Sequence, residues 1–335
     1  MDIATLKAAL LRPDIYPERS SEVDLRETHI SLVFLTGRFV YKVKKPVDFG
    51  FLDFTSLEKR RYFCEREVVL NRRLAPKLYL GVVPITMVQG EISLERGGEI
   101  VEYAVKMEQI PEELLMDKLL EKGEVTRQMI ERVSEKLARF YDTAETNEQI
   151  SRFGRPERIQ QDTDENFEQT TKYIGRTVSR TAFDTIQRRT NDFFDREKAL
   201  FEERIRGGKI RDCHGDLRLE HIFWGEEISI FDCIEFNERF RYTDVAADIG
   251  FLAMDLDYRG RRDLSEHLID HYVLGSGDRE IVRILDFYKC YRAYVRGKVE
   301  SFRLDDPTIS EAEKKKARTG AERYFDLAYH YAQQF

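Results

Sequence analysis

The stretch CHGDLRLEHIFW, Cys213 to Trp224, places His214, Asp216, Arg218, Glu220 and His221 within eight positions and flanks them with apolar residues. Residues of these types at this density serve a catalytic loop, a metal site or a charged turn. A further carboxylate, Asp232, follows sixteen residues after Asp216, at the end of the apolar run Ile228 to Phe231. Strand-like runs before His214 and at 228–231 put Asp216 in the loop between them and Asp232 at the end of the second run. Two carboxylates held close by such a hairpin-like element can divide the work. One contacts a hydroxyl nucleophile and the other holds a divalent cation on a phosphate, which is what phosphoryl transfer needs.

The elements that must position these groups fall into two regions. THISLVFLTGRFVYKVKK, Thr28 to Lys45, reads as two β-rich runs joined by Thr36, Gly37 and Arg38, which is hairpin chemistry. FTSLEKRRYFCEREVVLNRRLAP follows, where Thr55 with Glu58 makes a capping box and Pro76 closes a helix of about five turns. Three short strands are then expected in VVPITMVQGEISLERGGEIVEYAVKMEQI, separated at Gln89-Gly90 and Gly97-Gly98. The order hairpin, helix, strands predicts a small α+β lobe. After Pro111 long helical patterns dominate, so the boundary falls near Met107 to Pro111, giving a first region over 1–107 and a second over 108–335. The polar segment Ser151 to Asp195 is expected to form exposed helices.

Composition narrows the function classes. The 335 residues include 35% charged and 41% apolar ones with only 8 Pro and 19 Gly, which excludes collagen-like and disordered chains. A net charge of -7 argues against a general nucleic-acid binder, since phosphate affinity needs a concentrated positive field, although a local basic pocket is compatible with it. The four cysteines lack C-x-x-C spacing, which suggests neither a disulfide framework nor a zinc knuckle. No apolar run approaches the roughly 18 residues that span a bilayer. The opening MDIATLKAALLRPDIYPERS reads as a small amphipathic helix ended by Pro13 rather than a signal peptide. These features predict a cytoplasmic protein with no membrane or nucleic-acid partner; a protein partner is compatible with them.

At the residues around Asp216 and Asp232 the chain resembles the aminoglycoside phosphotransferase-like, or protein-kinase-like, family. HGDLRLEH is similar to that family's catalytic loop, H-G-D-x-x-x-x-N, and IFDCIEF to its metal-binding Asp segment. RYTDVAADIGFLAMDLD, YKVKKPVDFGFLDFTSLEKRR and CEREVVLNRRLAP extend the resemblance over most of the chain, which looks like an uncharacterised bacterial branch. The resemblance implies a two-lobed protein-kinase-like fold, with a small β-rich nucleotide-binding lobe and a larger, mainly helical lobe carrying the catalytic loop and acceptor pocket. It implies an ATP-dependent phosphotransferase, with GTP as alternative nucleotide and Mg²⁺ or Mn²⁺ as cation, acting on a hydroxyl of a small molecule such as an aminoglycoside or sugar.

Carried over by position, Asp216 would orient or deprotonate the acceptor hydroxyl and Asp232 would bind the cation. Lys42 would contact the phosphates; Lys44 lies on the same face of a period-2 strand and is an equal candidate by geometry. Glu67 would pair with that lysine, with Glu65 as alternate. The loop around His29, Ser31 and Leu32 would cover the phosphates, without a G-x-G-x-x-G, and the base would meet the backbone at Met107, Glu108 and Gln109. One departure stands out: the family's Asn five residues after the catalytic Asp is His221 here, and imidazole suits Mg²⁺ poorly and softer divalent ions better.

Around these groups, His214 is expected to support the loop, and Asp244 and Asp248 the loop and a helix start. Arg218 and Glu220 are expected to be surface or supporting charges, and Glu235 to stand behind the site, with metal or substrate contact as its alternative. In FYKCYRAYVRGKVESFR, Tyr288, Arg292 and Val295 fall at helical spacing, with Tyr291, Arg296 and Lys298 nearby. Such a ridge is ordinarily a packed helix with snorkelling arginines, but in this fold the C-terminal helices wall the acceptor pocket, so Tyr288, Arg292 and Arg296 point to an anionic or sugar-like acceptor. Two other readings compete: a nucleotide-binding pseudokinase that regulates, kept open by His221, and a metallohydrolase with His214, Asp216 and His221 as ligands.

Overall fold

Asp2 accepts the amide of Thr5 and so starts helix α1 (Ile3–Leu10). In the computed structural model, which describes residues 2–18, 20–94 and 97–335, the chain then enters a six-stranded antiparallel sheet. Strand β1 (Asp24–Glu27) lies at one edge and pairs with β2 (Ser31–Leu35), which pairs with β3 (Phe39–Lys44). Gly37, at φ +88°, makes the β2–β3 turn that the sequence predicts, because this left-handed region is open to glycine. The edge strand β1 is an addition to that expectation.

Helix α2 (Leu57–Asn71) follows, capped by Ser56, whose hydroxyl accepts the amide of Lys59. The cap falls one residue later than the expected Thr55, because the Thr55 hydroxyl donates to Asp53 Oδ1 at 2.6 Å instead. Strands β4 (Tyr79–Val88), β5 (Glu91–Leu94) and β6 (Glu99–Glu108) match the three expected; Glu95 and Arg96, in the same stretch, lie outside the described residues. Gln89 and Gly90 both have positive φ, the chemistry of a two-residue hairpin turn. The sheet order is β1-β2-β3-β6-β4-β5, so β3 sits centrally between β2 and β6. One sheet face buries Leu32, Phe34, Tyr41 and Val43 with Leu6 and Leu10 of α1, and the other packs Val105 and Met107 against Cys64 and Val68 of α2. Helix α3 (Met116–Glu121) completes this stretch.

The next region is helical: α4 (Arg127–Thr143), α5 (Glu148–Ser151), α6 (Pro156–Thr170), α7 (Arg180–Arg196) and α8 (Lys198–Arg206), then a short strand β7 (Ile210–Asp212). The hairpin β8 (Ile222–Trp224) and β9 (Ile228–Ile230) comes next, followed by α9 (Glu238–Arg241), β10 (Tyr242–Asp244), α10 (Val245–Tyr258), α11 (Arg262–Ser276), α12 (Ile281–Arg303) and α13 (Glu311–Ala332). Every residue of α10 from Val245 to Leu256 is buried, the mark of a helix wrapped on all sides. Phe251 and Met254 from α10 join Phe183 and Ile186 of α7, Ala293 and Tyr294 of α12, and Phe325 and Ala328 of α13 in one core. Among the described residues no helix is long and apolar enough to cross a membrane.

Two compact units result, Met1–Glu124 with Glu220–Glu238, and Val125–Leu219 with Arg239–Phe335. The division differs from the expected 107/108 boundary for a physical reason. Leu115, just before α3, bridges to Phe223 of β8, and the Ile230 amide donates to the Leu74 carbonyl at 3.4 Å, so α3 and the 222–230 hairpin stay with the sheet.

In the second unit Arg204 of α8 is sealed between two acids. Its Nε and Nη2 donate to Asp244 at 2.8 and 2.6 Å and its Nη1 to Asp278 at 2.6 Å, with all three side chains at most 2% exposed. Removing one member of such a group strands the opposite charges in the interior. Arg204→Met is therefore expected to cost about 3–5 kcal/mol in urea unfolding, with recovery when Asp244→Asn and Asp278→Asn are added. A loss below about 1 kcal/mol, the scale of a solvent-screened pair, would contradict this account.

Candidate active site

The 213–219 loop is built from its backbone outward. Asp248, buried on α10, accepts the amides of His214 at 2.6 Å and Gly215 at 3.0 Å, and its Oδ2 also accepts the hydroxyl of Tyr141 at 2.9 Å. Two helical turns further along α10, Asp255 accepts the amide of Leu219 at 3.0 Å. The i, i+7 spacing puts both carboxylates on one face of the helix, so a single rigid element pins the loop before and after Asp216. Arg292 of α12 donates to the Gly215 carbonyl at 3.1 Å, and Gly215 itself has φ +88°. His214 is fully buried and its Nδ1 accepts the Asp216 amide at 3.3 Å, so its imidazole is spent on the loop as expected and is not presented as a metal ligand.

The Asp216 carboxylate is gripped by Arg218, which donates from Nε at 3.1 Å and Nη2 at 3.0 Å. This two-point contact fixes the carboxylate's plane. Of the two roles expected for Arg218 these contacts match the supporting one: it is 9% exposed, with its guanidinium over the Phe251 ring. Asp244 takes part in the Arg204 group and also caps α10 by accepting the amide of Ala246.

In the first unit Lys42 and Lys44 alternate with Val43 on β3 and project to one side, toward Glu67 of α2. The Glu67 carboxylate is shared, with Oε1 at 2.9 Å from Lys42 Nζ and Oε2 at 2.7 Å from Lys44 Nζ. Lys42 also reaches Asp232 Oδ1 at 2.7 Å, and Lys44 donates to Glu235. The two lysines differ in environment. Lys44 is sealed, with a second acid of its own, whereas Lys42 pairs with Asp232, the most exposed member of the cluster at 43%. Burial opposes the charge on Lys42, but Asp232 and then Glu67 outweigh it and hold the ammonium form well above its usual range. Burial likewise opposes ionisation of Glu67, and Lys42 and Lys44 reverse it, so its carboxyl is lowered. At Glu235 burial prevails and its carboxyl is raised, because Lys44 is divided with Glu67. Lys42 and Lys44 thus face Glu67, Glu235 and Asp232, of which Asp232 is the most exposed.

Asp232 adopts φ +61°, a left-handed backbone that costs a non-glycine residue about 1–2 kcal/mol. The surroundings hold it there. The Asp232 amide donates to Tyr79 Oη at 3.2 Å, the Cys233 amide donates to Asn71 Oδ1 at 2.8 Å, and Asn71 Nδ2 donates back to the Glu67 carbonyl at 2.9 Å. The β8–β9 register pairs Ile222 with Ile230, and the Phe231 amide donates to the His221 carbonyl at 3.0 Å. This register carries His221 alongside the Asp232 turn, with Nε2 3.6 Å from Asp232 Oδ2 and 3.7 Å from Glu220 Oε1. Among the described residues, no group of three or more His, Cys, Asp or Glu side chains forms a metal site.

Other expected residues lie differently. The Ser31 side chain is fully buried at the start of β2 and Leu32 is buried beside it, so neither side chain covers a ligand. The preceding turn is closed by Thr28, whose hydroxyl accepts the amides of Ile30 and Ser31. Met107 and Glu108 end β6; Gln109 Oε1 accepts the Gly37 amide at 2.9 Å and ties that end to the β2–β3 turn. Glu235 is buried on Lys44 rather than turned to an acceptor. Tyr288 is 2% exposed and Arg292 donates to the Gly215 and Ala247 carbonyls, which matches the packed-helix alternative for this ridge. Packing of α12 against α10 buries that side of the ridge. Arg296 pairs with Glu300 at 3.4 Å. Glu65 pairs with Arg61 in solvent, which leaves Glu67 as the lysine partner. Sequence reading missed Asn71, Tyr79, Tyr141 and Asp255. Asn71 and Asp255 had a signal in their spacing, one turn after Glu67 and two turns after Asp248.

The small antiparallel sheet with its lysine–glutamate pair, followed by a helical unit carrying the HGD loop, defines the two-lobed protein-kinase-like fold. The chain shares that fold with a choline/ethanolamine kinase family protein from Mesorhizobium loti, at a TM-score of 0.52 and 12% identity over 98% of this chain and 99% of that one. It shares it also with aminoglycoside 2'-phosphotransferase-IIIa, solved as a GDP complex, at a TM-score of 0.51 and 11% identity over 97% and 99%. At these identities the likeness is one of fold. By sequence the chain is 34% identical over 283 residues, 84% of its length, to uncharacterised proteins of Mycobacterium tuberculosis and Mycobacterium bovis. It spans 55% of the length of those relatives. No protein-family model matches the chain.

The hold on the Asp232 turn is testable without a ligand. In Asn71→Ala the Cys233 amide loses its acceptor, at a cost of about 1–3 kcal/mol. Hydrogen exchange should then show faster exchange at Cys233, with the core strand β3 unchanged. Unaltered protection at Cys233 would contradict the role given to Asn71.

Proposed function

We propose that the chain is a phosphotransferase that moves the terminal phosphoryl group of a nucleoside triphosphate, ATP or GTP, to a hydroxyl of a small molecule such as an aminoglycoside or sugar. The observation that carries this reading is the Lys42 ammonium group, held 2.9 Å from a helix glutamate and 2.7 Å from an aspartate in a left-handed turn. Such a lysine is pre-oriented and keeps its charge, the condition for a group that binds phosphate oxygens. The protein-kinase-like fold and the HGD loop support the same reading.

Each group then has a task. Asp216 takes up or orients the proton of the acceptor hydroxyl as its oxygen bonds to phosphorus; the bond from phosphorus to the nucleotide's bridging oxygen breaks and the nucleoside diphosphate leaves. Arg218 holds the Asp216 carboxylate in one plane. Lys42 exchanges part of its contact with Asp232 for the phosphates, while Glu67 and Lys44 keep the base of the cluster neutral. Asp232 and His221 would hold a divalent cation, a reading supported by the exposure of Asp232 and by the 3.6 Å between its Oδ2 and His221 Nε2. That ion, when bound, supplies charge neutralisation on the phosphates. The backbone around Met107 to Gln109, at the end of β6, is where the nucleotide base would pair. Catalysis on this reading is mainly positioning and electrostatics, since a transferring phosphoryl group needs little covalent help.

A panel of hydroxylated acceptors with radiolabelled ATP or GTP tests the proposal. Transfer by the wild-type chain should fall about 10²–10⁴-fold in Asp216→Asn, with an unchanged circular-dichroism spectrum. Undiminished transfer in that variant would remove Asp216 from the chemistry. Nucleotide binding without transfer to any acceptor would favour a regulatory pseudokinase.

A further inference from the structure

The hairpin β8–β9 brings an imidazole to the flank of the cation-binding aspartate. Extending its register places His221 opposite Phe231 and Glu220 opposite Asp232, and the His221 side chain is only 9% exposed, with its ring near that of Phe231. Nε2 stands 3.6 Å from Asp232 Oδ2, across the turn that follows β9. An ion bonded to both atoms at about 2.0–2.2 Å fits this spacing, because 3.6 Å is less than twice that length.

The donor pair is one nitrogen and one carboxylate oxygen, which is not the all-oxygen set that Mg²⁺ demands. Mg²⁺ holds its waters tightly and gains little from imidazole, whereas Mn²⁺ and the later first-row ions bind nitrogen more strongly. We infer that His221 is a cation ligand that turns the site from Mg²⁺ toward an imidazole-accepting first-row divalent ion, for which Mn²⁺ serves as the spectroscopic probe. Two protein donors leave the remaining positions to water and to phosphate oxygens. The role of the bound ion rests on the phosphotransferase reading; its binding through His221 does not.

Electron paramagnetic resonance of Mn²⁺ added to the full chain tests this directly, first without nucleotide and then with a non-hydrolysable ATP analogue. Pulsed measurements on wild type should show a directly bonded ¹⁴N, and Mg²⁺ should displace Mn²⁺ only in excess. His221→Asn should lose the nitrogen coupling and weaken Mn²⁺ binding by about 10–100-fold, the range set by perturbing a metal's surroundings. Asp232→Asn should lose binding altogether. Bound Mn²⁺ without nitrogen coupling in wild type would overturn the inference, and this reading needs no variant to fold. If Mg²⁺ and Mn²⁺ compete evenly while phosphate is still transferred, the inference falls and the phosphotransferase reading stands. If nitrogen-coordinated Mn²⁺ is seen but no nucleotide alters its spectrum, the cation site stands and the phosphotransferase reading falls.

Discussion

One carboxylate, Glu67, lies between two buried ammonium groups, and the first unit is organised around that constraint. An ionised side chain taken out of water costs several kcal/mol unless it is paired. Lys44 and Glu67 therefore cannot part without Glu235 and Lys42 responding. The cluster ties β3 to α2 and to the segment after β9, with Asp232 at its exposed edge. Strain and compensation meet at the same point: the left-handed Asp232 is maintained by Tyr79, Asn71 and Lys42 from three separate elements.

The second unit applies the same logic to backbone amides. Helix α10 presents Asp248 and Asp255 on one face, and those two carboxylates take up amides of the 213–219 loop that would otherwise lie buried without acceptors. Tyr141 and Arg292 brace Asp248 and the loop from α4 and α12. A loop held at both ends by one helix keeps Asp216 in place with little entropy left to lose, which is what a positioning mechanism requires.

Much of this was legible in the sequence. The β2–β3 hairpin followed from Gly37 between β-rich runs, the helix after it from the pattern closed by Pro76 although its cap lies one residue past Thr55, and the kinase-like fold from ordered motifs around Asp216 and Asp232. What stayed hidden involved choices that pattern does not encode. A period of two assigns Lys42 and Lys44 to one face but cannot say which is sealed, since that depends on Glu235 arriving from nearly two hundred residues away. Helical spacing on α12 identified a basic, aromatic ridge, yet Tyr288 and Arg292 fall on the side that α10 covers. Arg218 read as either a surface or a supporting charge, because local sequence does not show that its guanidinium turns back on its near neighbour Asp216. The unit boundary moved because one bridge, Leu115 to Phe223, joins residues far apart in the chain.

The central claim is that Lys42, poised on Glu67 and Asp232, receives nucleotide phosphates, while Lys44 holds the interior. Isothermal titration of the full chain with ATP in Mn²⁺, in Mg²⁺ and in chelator, repeated on a folded Lys42→Met variant, measures it most directly. The account predicts cation-dependent binding by the wild-type chain and its loss in the variant. Binding that persists in Lys42→Met, or no heat of binding for ATP or GTP under any of these conditions, would contradict it.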